Sequence, residues 1–462
     1  MAKAVFLEGA LMRHVAVMSL TSSVGLMAIF AVDFVDMIFI SMLGNKALAA
    51  AVGYAGTLLF FTNAINIGLS ISAGSLVARS IGAEQINKAK EYATSVTLLG
   101  ALTGLVIPAI VFVSLAPILS WLGAEGDTLA LAKRYVSIVM PTMPLMSLAM
   151  VGMAVLRAYG DARRSMMGTV FGGAVNAALD PVLIFGLGLG LDGAAYASVV
   201  ARIVICSYAV LSVWRVHKGF AKPSPTLLVR DAKAISAIAG PAILTNVASP
   251  IGNAIVTREV AAYGTDAVAA MAVIGRLMPV AFAVVFALSG AIGPVVGQNF
   301  GAGLFDRVRG TLKAGLQFLA AYTLLAAFIL FVARGMIAGI FEAEGEMRAL
   351  IFLFCGPLAL MQFFNGVIFV CNACFNNLGH PIYSTYVNWG RHTLGTYPFV
   401  ILGGAYWGAS GVLMGQAIGG AFFAAAGLWL AIKTINRLSR PEPVDPFAEE
   451  STLHHISGRR NW

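Results

Sequence analysis

The most evident deficit of the sequence is in charged residues. Of its 462 residues only 11% are Asp, Glu, Lys or Arg and 59% are hydrophobic, which gives a mean hydropathy of +0.85. Soluble domains have about 25% charged and about 45–50% apolar residues. The net charge of +9 does not indicate a nucleic-acid partner, because the basic residues occupy short gaps between apolar runs and leave no basic face to water. The composition predicts an integral membrane protein.

Motifs of ATP-driven pumps and of common membrane enzymes are also missing. There is no Gly-x-x-x-x-Gly-Lys-Ser/Thr sequence, and none of the six His residues begins a His-Glu-x-x-His motif. The four Cys residues lie in apolar segments, and the pair Cys371-x-x-Cys374 is too small for a zinc set. We therefore expect no use of ATP, no enzyme activity and no resident cofactor.

Apolar runs that are long enough to cross a bilayer, about 20 residues, follow one another along the chain. Their number predicts an all-α integral membrane protein with twelve transmembrane helices. The predicted spans 1 to 12 are 15–43, 47–75, 93–120, 130–156, 164–186, 193–214, 235–262, 267–296, 311–334, 348–375, 381–403 and 408–432.

Positive charges are distributed unevenly among the segments between these spans. If the segments are numbered from the N-terminus and the three end residues of the adjoining spans are counted with them, the odd-numbered ones carry 21 Lys and Arg residues, and the even-numbered ones carry only Lys46, Arg334 and Arg348. Positively charged loops stay on the cytoplasmic side. We therefore expect a multi-pass protein of the plasma (inner) membrane with both termini in the cytoplasm.

An internal repeat is visible at a constant offset in residue number. Ala78-Arg-Ser-Ile-Gly-Ala83 follows span 2, and Gly297-Gln-Asn-Phe-Gly-Ala302 follows span 8; Gly160 and Gly379 have the same separation, an offset of 219 in the numbering. Six spans per half is an even number, so both halves enter the membrane from the same side. The sequence thus predicts two pseudo-symmetric six-helix lobes related by an axis along the membrane normal.

These boundaries divide the chain into four parts. The tail has the composition of a disordered segment. The parts are the N-lobe 1–214 (spans 1–6), a cytoplasmic linker 215–234, the C-lobe 235–432 (spans 7–12) and a cytoplasmic tail 433–462.

Three acids lie well inside apolar runs, and all three are in the N-lobe: Asp33, Asp36 and Asp180. A charge at the centre of a membrane costs on the order of 2.5–3.5 kcal/mol on insertion scales, so an intramembrane acid indicates function. Asp33 lies one helical turn below Asp36.

Other polar residues are predicted at the depth of these acids. At 1.5 Å per residue, Asp36, Asp180, Ser198 and Tyr135 lie roughly 8–10 Å below the outer ends of their spans. Asn176 precedes Asp180 by one turn on the same helix face. Carboxylates, an amide and hydroxyls from four helices would then share one layer.

The chemistry of this layer permits more than one interpretation. Hard oxygen ligands suit Na⁺, and neighbouring buried acids suit reversible proton uptake. The residues alone do not choose between the two ions. A hydrogen-bonded polar seam that only orders the helices is the structural alternative.

Four stretches of this sequence resemble signatures of a known family. They are Val35-Asp-Met-Ile-Phe-Ile-Ser-Met-Leu-Gly44 with Ala47-Leu-Ala-Ala50, the Gly82-Ala83 loop, Gly297-Gln-Asn-Phe-Gly-Ala302, and Leu156-Arg-Ala-Tyr-Gly-Asp161. Together they are similar to motifs of the MATE (multidrug and toxic compound extrusion) transporters. The resemblance implies a V-shaped pair of lobes that open alternately inward and outward, and it implies export of mostly cationic, amphipathic compounds in exchange for H⁺ or Na⁺.

The resemblance also implies a set of site residues. The N-lobe cation site of the family is similar to Asp36, Asn176, Asp180 and Ser198, with Ser where the family often has Thr, and Tyr135 matches a neighbouring tyrosine. For Na⁺, the ligands would be Asp36, Asn176 and Asp180, and Asp33 is a candidate neighbour of the site.

One departure concerns the C-lobe. NorM-like members carry acids in spans 7 and 10, whereas span 7 here has Asn246 and no mid-span acid, and span 10 has Gln362 and Asn365. We therefore expect coupling through the N-lobe.

Polar and flexible apolar side chains of the C-lobe are candidates for a substrate cavity, with interhelical hydrogen bonding and packing as the alternative. These candidates are Met271, Met278, Gln362, Asn365, Arg391 and His392. We expect a monomer in the bilayer that moves a small molecule and binds no nucleic acid.

Two other functions remain open. In a flippase or exporter of lipid-linked or anionic substrates, Arg202, Arg276 and Arg391 would contact the anionic group. In a membrane-embedded enzyme the acids would act as general acid and base, but no nucleophile or metal set accompanies them.

Overall fold

The computed structural model describes residues 4–43 and 46–439, and the described part contains sixteen α-helices. The first half of the chain forms α1 (Leu11–Met42), α2 (Lys46–Gly82), α3 (Ile86–Val113), α4 (Leu115–Trp121), α5 (Gly126–Val139), α6 (Met143–Ala158), α7 (Ala162–Pro181) and α8 (Leu191–Leu211). The second half forms α9 (Pro225–Ala261), α10 (Thr265–Ala281), α11 (Ala283–Gly301), α12 (Phe305–Ile340), α13 (Gly345–Leu353), α14 (Ala359–Asn377), α15 (Ile382–His392) and α16 (Tyr397–Leu438).

Several predicted spans consist of more than one helix. Span 4 is α5 and α6, joined by the 3₁₀ turn Met140–Thr142, and span 10 is α13 and α14, joined by the π-helical turn Phe354–Leu358. Span 8 is α10 and α11, with a break at Phe282, where φ is −118° and ψ is 23°. Proline lies in or near each of these interruptions, since it removes a backbone donor and kinks the helix.

By length and composition, eleven helical segments of the described chain can cross a membrane, and one of them, Ile382–Leu438, has 57 residues. That length would be about 85 Å if straight, far more than a bilayer core of about 30 Å. The helix leaves helical geometry at Trp407 and Gly408, where φ of Gly408 is 60°. A Cβ atom built on Gly411 would lie 1.9 Å from the Gly403 carbonyl oxygen.

A second pair of residues shows the same reversal further from the break. A Cβ atom on Gly415 would lie 2.1 Å from the carbonyl oxygen of Phe399. Residues after Gly408 therefore contact residues before it in reverse order. Segments 382–406 and 409–438 are therefore antiparallel neighbours, and they are spans 11 and 12. The all-α fold with twelve spans is confirmed.

The helices extend beyond the three predicted domain boundaries. α9 begins at Pro225 and the π-helical end of α8 reaches Val216, so the non-helical linker is 217–224 instead of 215–234. α16 continues to Leu438, which lies inside the predicted tail 433–462. Residues 440–462 lie outside the described residues.

The repeat explains how the lobes meet. A Cβ atom on Gly82, at the end of α2, would lie 1.9 Å from the carbonyl oxygen of Gln298, and one on Gly301, at the end of α11, would lie 2.0 Å from that of Arg79. Gly82 and Gly301 are equivalent positions of the repeat, as are Arg79 and Gln298. The contact is therefore reciprocal about a pseudo-twofold axis, and glycine is needed because the backbones touch.

Hydrogen bonds between the lobes cluster at the membrane side that carries the positively charged loops, which we call the basic side. The Gln298 side chain accepts from the N–H groups of Val5 and Phe6, both at 3.0 Å, and donates to the Ala158 carbonyl at 2.8 Å. Arg79 Nε donates to the Asn377 carbonyl at 2.7 Å. The lobes are thus closed together at the basic side.

Residues 4–10, which we call the N-terminal strap, lie between the lobes at this side. The Phe6 carbonyl accepts from Asn299 Nδ2 at 3.1 Å and from Arg307 Nη2 at 2.9 Å. Phe6 is 2% exposed, and the Val5 side chain packs on Gly160. The strap therefore joins the end of span 4 in the N-lobe to spans 8 and 9 in the C-lobe.

The linker is held at the same side by an acid that caps α7. Asp161 accepts from the Arg164 N–H at 3.1 Å and from His217 Nε2 at 2.9 Å. Burial raises the pKa of Asp161, but the hydrogen bonds from His217 and Arg164 outweigh that effect and lower the pKa to about 2. The His217 ring stacks on Tyr159 at 4.9 Å.

We predict that Gln298→Leu weakens closure at the basic side, because the N–H groups of Val5 and Phe6 lose their acceptor. The loss costs about 1–3 kcal/mol for the buried Phe6 N–H. Spin labels on exposed Lys88 and Asp306, one in each lobe, should give a longer and broader distance distribution. Gln85→Leu, a change of an exposed glutamine in the same region, is the control. An unchanged distance distribution in Gln298→Leu would show that these hydrogen bonds do not hold the lobes together.

Candidate functional site

One amide joins two carboxyl groups from different spans. Asn176 Nδ2 on α7 donates to Asp36 Oδ1 on α1 at 3.0 Å, with Oδ2 at 3.2 Å, and to Asp180 Oδ2 at 2.9 Å. Asn176 and Asp180 are one helical turn apart, so both side chains project from the same face of α7. We call Asp36, Asn176 and Asp180 the polar triad.

Small residues bring α1 close enough to α7 for this contact. A Cβ atom on Gly25 would lie 2.6 Å from Thr169 Oγ1, and one on Gly173 would lie 3.1 Å from Val32 Cγ2. Glycine at both positions therefore lets the two helices pack along their length, and Asp36 meets α7 near the outer end.

The end of α7 departs from regular helix directly after the triad. Pro181 cannot donate to the Ala177 carbonyl, and the chain continues as the π-helical turn Val182–Gly186. Gly193 at the start of α8 packs on the backbone of this turn, since a Cβ atom there would lie 2.7 Å from the Leu183 carbonyl carbon. π-Helical turns of this kind are frequent at functional sites.

The triad is enclosed and electrostatically unusual. Asn176 is 3% exposed and Asp180 is fully buried, and Asp36 is half-buried. Asp36 and Asp180 are within hydrogen-bonding reach of each other, and Asp180 Oδ1 has no hydrogen-bond partner among the described residues. Two unit charges about 4 Å apart repel by about 4 kcal/mol at an effective dielectric constant of 20. Two ionised carboxylates are therefore unfavourable at this place.

Tyr135 on α5 and Ser198 on α8 belong to helices that pack against each other. Tyr135 packs against Ile40 and Ile184, which lie near the triad in sequence on α1 and after α7. The structure thus brings α5 and α8 to the pocket, but no hydrogen bond from Tyr135 or Ser198 to the triad is found in the described chain.

Arg202 has a partner that the sequence did not indicate. Its Nη1 donates to Thr142 Oγ1 at 2.9 Å and to the Val139 carbonyl at 3.1 Å. Both acceptors belong to the break between α5 and α6, where Pro141 interrupts the helix. In the sequence, the signal for this kink is Pro141, a proline inside an apolar run. Arg202 therefore stabilises a kink instead of standing unpaired in the membrane.

Asp33 is not part of the hydrogen-bonded group. It lies one turn before Asp36 on α1 with an exposed side chain, and no hydrogen bond to it is found within residues 4–43 and 46–439. It remains only an electrostatic neighbour of Asp36.

The candidate cavity residues of the C-lobe fall into two groups. Gln362 and Asn365 are hydrogen-bonded to each other, and Met271 and Met278 pack against the C-lobe core. His392 is 5% exposed, lies against Gly252, and has Nε2 3.3 Å from Ser249 Oγ. These five candidates therefore make their contacts within the lobe.

Arg391 forms the second group by itself. It is half-buried in span 11, next to Gly420 in span 12. Its guanidinium makes no hydrogen bond or ion pair with the residues that the structure describes. An intramembrane cation without a partner indicates a wet cavity or a ligand.

The polar triad has no counterpart in the C-lobe. The positions of the repeat that correspond to Asp36, Asn176 and Asp180 are Ile255, Gly395 and Phe399. None of these side chains can hold a cation, and Asn246 of span 7 only donates to the Ala242 carbonyl of its own helix at 2.8 Å.

We predict that Asn176→Leu lowers the Tm more than Asn246→Leu does. The first change removes the amide that donates to two carboxyl groups, and hydrogen bonds to charged groups contribute about 1.5–3 kcal/mol each. The second removes one bond within a helix. Thermal unfolding of the purified variants at neutral pH measures the difference, and equal losses would mean that Asn176 does not hold the carboxyl groups together.

Comparison with known proteins gives a consistent result. The MatE family model matches residues 22–182 and again 241–402, and the second match begins at the repeat equivalent of the first residue matched, which confirms the repeat. The chain is 30% identical over 423 residues to a protein of Shewanella oneidensis named FAD transporter, covering 90% of this chain and 93% of that protein. It is 22% identical over 430 residues to the multidrug export protein MepA of Staphylococcus aureus strain MSSA476, covering 91% and 93%.

Solved structures share the fold. The Vibrio cholerae MATE transporter VcmN in its bent form superposes with a TM-score of 0.87 at 24% identity, covering 93% of this chain and 98% of that one. A MATE family transporter described as outward-facing gives a TM-score of 0.87 at 21% identity, covering 96% and 99%. From the family match over both halves and the 30% identity to a relative of nearly equal length, the chain belongs to the MATE family of transporters.

Proposed function

We propose that this protein is a secondary antiporter that exports a small molecule in exchange for H⁺ or Na⁺, and that the polar triad is its coupling site. The observation that carries the proposal is the single amide that holds two carboxyl groups from different spans. A site of this kind changes its net charge when it takes up one cation, and it changes how strongly α1 and α7 attract each other.

A physical path leads from the triad to the opposite side of the membrane. α1 carries Asp36 and continues at its start, Leu11, directly into the N-terminal strap. The helix between these two residues is about 38 Å long. A shift of α1 that follows cation uptake at Asp36 would therefore move the strap, which joins the lobes through Gln298 and Arg307.

The direction of transport follows if the basic side is cytoplasmic, with both termini there. The lobes are then closed toward the cytoplasm, and the triad lies about 10 Å below the opposite face. In this state a cation from outside reaches the triad while the substrate leaves. Return to the inward-open state requires that the hydrogen bonds of the strap break.

The arrangement of the triad suits a proton without any rearrangement, because Asn176 presents its N–H group to both carboxyl groups. Binding of Na⁺ would require the Asn176 amide to turn its oxygen inward, together with Asp180 Oδ1, which has no partner among the described residues. Both ions therefore remain candidates, and H⁺ needs the smaller change.

The substrate class has two candidates. Amphipathic cations are the first, and the name of the relative MepA supports them. Anionic molecules with phosphate groups are the second; the name of the FAD transporter and the unpartnered guanidinium of Arg391 in the described chain support them. In the second case Arg391 would compensate the negative charge of the substrate inside the membrane.

We predict that Asp36→Asn abolishes gradient-driven efflux while the protein still folds and inserts, because an amide cannot release a proton or bind Na⁺ with a full charge. Proteoliposomes with the pH gradient and the Na⁺ gradient imposed separately give the readout and identify the ion. Asp33→Asn, one turn away and outside the hydrogen-bonded group, should retain efflux. Normal efflux by Asp36→Asn would refute the coupling site.

The substrate class has its own test. If the substrate is anionic, Arg391→Gln should reduce the efflux of FAD at least about tenfold, since a hydrogen bond to a charged group contributes about 1.5–3 kcal/mol, and it should leave ethidium efflux unchanged. Arg258→Gln, at an exposed arginine of α9, is the control. Efflux of ethidium and none of FAD by the unmodified protein would select the cationic class.

A further inference from the structure

A groove on the outer surface of the C-lobe lies between α12 and the last turns of α16, at the basic side. Its volume is about 430 Å³. Its walls are apolar side chains of both helices, and polar side chains lie only along one edge. The walls are Leu312, Leu316, Ala320, Ile432 and Ile435, and the polar edge is Arg309, Lys313, Gln317 and Asn436.

The groove runs from the membrane surface into the hydrocarbon region. Arg309 lies in the second turn of α12, and Ala320 lies three turns further along, about 16 Å deeper. A peptide at that depth would leave backbone polar groups without hydrogen-bond partners in hydrocarbon. An acyl chain has no such groups, so the deep part of the groove suits a lipid.

The charges at the shallow end are predominantly positive. Arg309 and Lys313 of α12 line the groove, and exposed Lys433 and Arg437 of α16 directly follow the groove residues Ile432 and Asn436 in sequence. Arg309 Nη2 donates to Asn436 Oδ1 at 2.8 Å, which fixes the guanidinium over the groove. The one acid nearby in the described chain, Asp306, is 3.7 Å from Arg309 and has a fully exposed side chain.

An aromatic residue marks the depth of these charges. Lys433 Nζ lies 4.8 Å from the ring centroid of Trp429, and Trp429 is 61% exposed. Tryptophan is enriched at the level of the lipid headgroups. The four basic side chains therefore lie where phosphate groups of the membrane lie.

The repeat shows that the corresponding surface of the N-lobe is covered. Thr94 on α3 is the repeat equivalent of Lys313, and its hydroxyl accepts from the Ala221 N–H at 2.9 Å. The linker residue Gly219 packs on Val213 at the end of α8. The linker thus lies over the surface between α3 and α8, and the groove between α12 and α16 has no such cover within the described residues.

We propose that this groove binds an anionic phospholipid of the basic-side leaflet, with the phosphate at Arg309 and Lys313 and one acyl chain along Leu316 and Ile435. The lipid contacts the helix that also holds the strap, since Arg307 lies two positions before Arg309 and donates to the Phe6 carbonyl. This site is separate from the polar triad and does not depend on the coupling proposal.

The experiment measures retained lipid by native mass spectrometry of the full chain, titrated with phosphatidylglycerol or phosphatidylcholine of identical acyl chains. The unmodified protein should prefer phosphatidylglycerol. Arg309→Gln/Lys313→Gln should reduce that preference at least about fivefold, since a basic residue near anionic lipid contributes about 1 kcal/mol. Lys88→Gln/Lys90→Gln removes two charges at the covered N-lobe surface and should have no effect.

Three outcomes would overturn the proposal. They are equal retention of the two lipids by the unmodified protein, equal losses in the two double variants, and an unchanged preference in Arg309→Gln/Lys313→Gln. If that variant does not fold, Leu316→Trp, which fills the groove and keeps the charges, should lower phosphatidylglycerol retention. If the unmodified protein shows no preference for phosphatidylglycerol but the variant Glu442→Gln/Asp445→Asn does, the chain after residue 439 occupies the groove. The lipid assignment is then wrong.

Discussion

Two carboxyl groups in a low-dielectric environment can lie together only when something compensates their charge, and here one amide does part of this work. Asn176 donates to both Asp36 and Asp180, yet Asp180 Oδ1 has no partner in the described chain. In the proposed mechanism a cation makes up this deficit of hydrogen-bond donors, and the packing of α1 on α7 then depends on what occupies the site.

The same helix connects that deficit to the closure of the lobes. α1 has the carboxyl group near one end and passes into the N-terminal strap at the other. The strap is held by side chains of the C-lobe, above all Gln298, which is fully buried. The close backbone contacts at Gly82 and Gly301 make the joint at the basic side reciprocal. The C-lobe contributes the surface on which the strap lies. No acid lies deep in the membrane spans of this lobe.

Much of this architecture follows from local patterns in the sequence. The apolar runs, the constant repeat offset and the rarity of intramembrane acids predict twelve spans, two lobes and the grouping of Asp36, Asn176 and Asp180. Hydrophobicity and spacing along the chain suffice for the spans and the lobes, and depth in the membrane places the three residues in one layer, although Asp36 lies 140 positions from Asn176. The sequence did not indicate the partner of Arg202, and it left open whether Asp33, a candidate neighbour of the site, is hydrogen-bonded to the triad. Both depend on how helices rotate against each other.

The sequence by itself determined the number of spans, their grouping and the positions at which charge enters the membrane, since hydrophobicity and spacing act locally along the chain. Only the tertiary structure decided which atoms meet. One amide is shared by two acids, residues 4–10 close the basic side, and α16 reverses at Gly408. The groove beside α12 is uncovered within the described residues, whereas the linker lies over the corresponding surface of the N-lobe. Such contacts arise from side-chain rotamers and backbone breaks. They join residues as far apart in sequence as Phe6 and Arg307, and no local pattern predicts a contact over that separation.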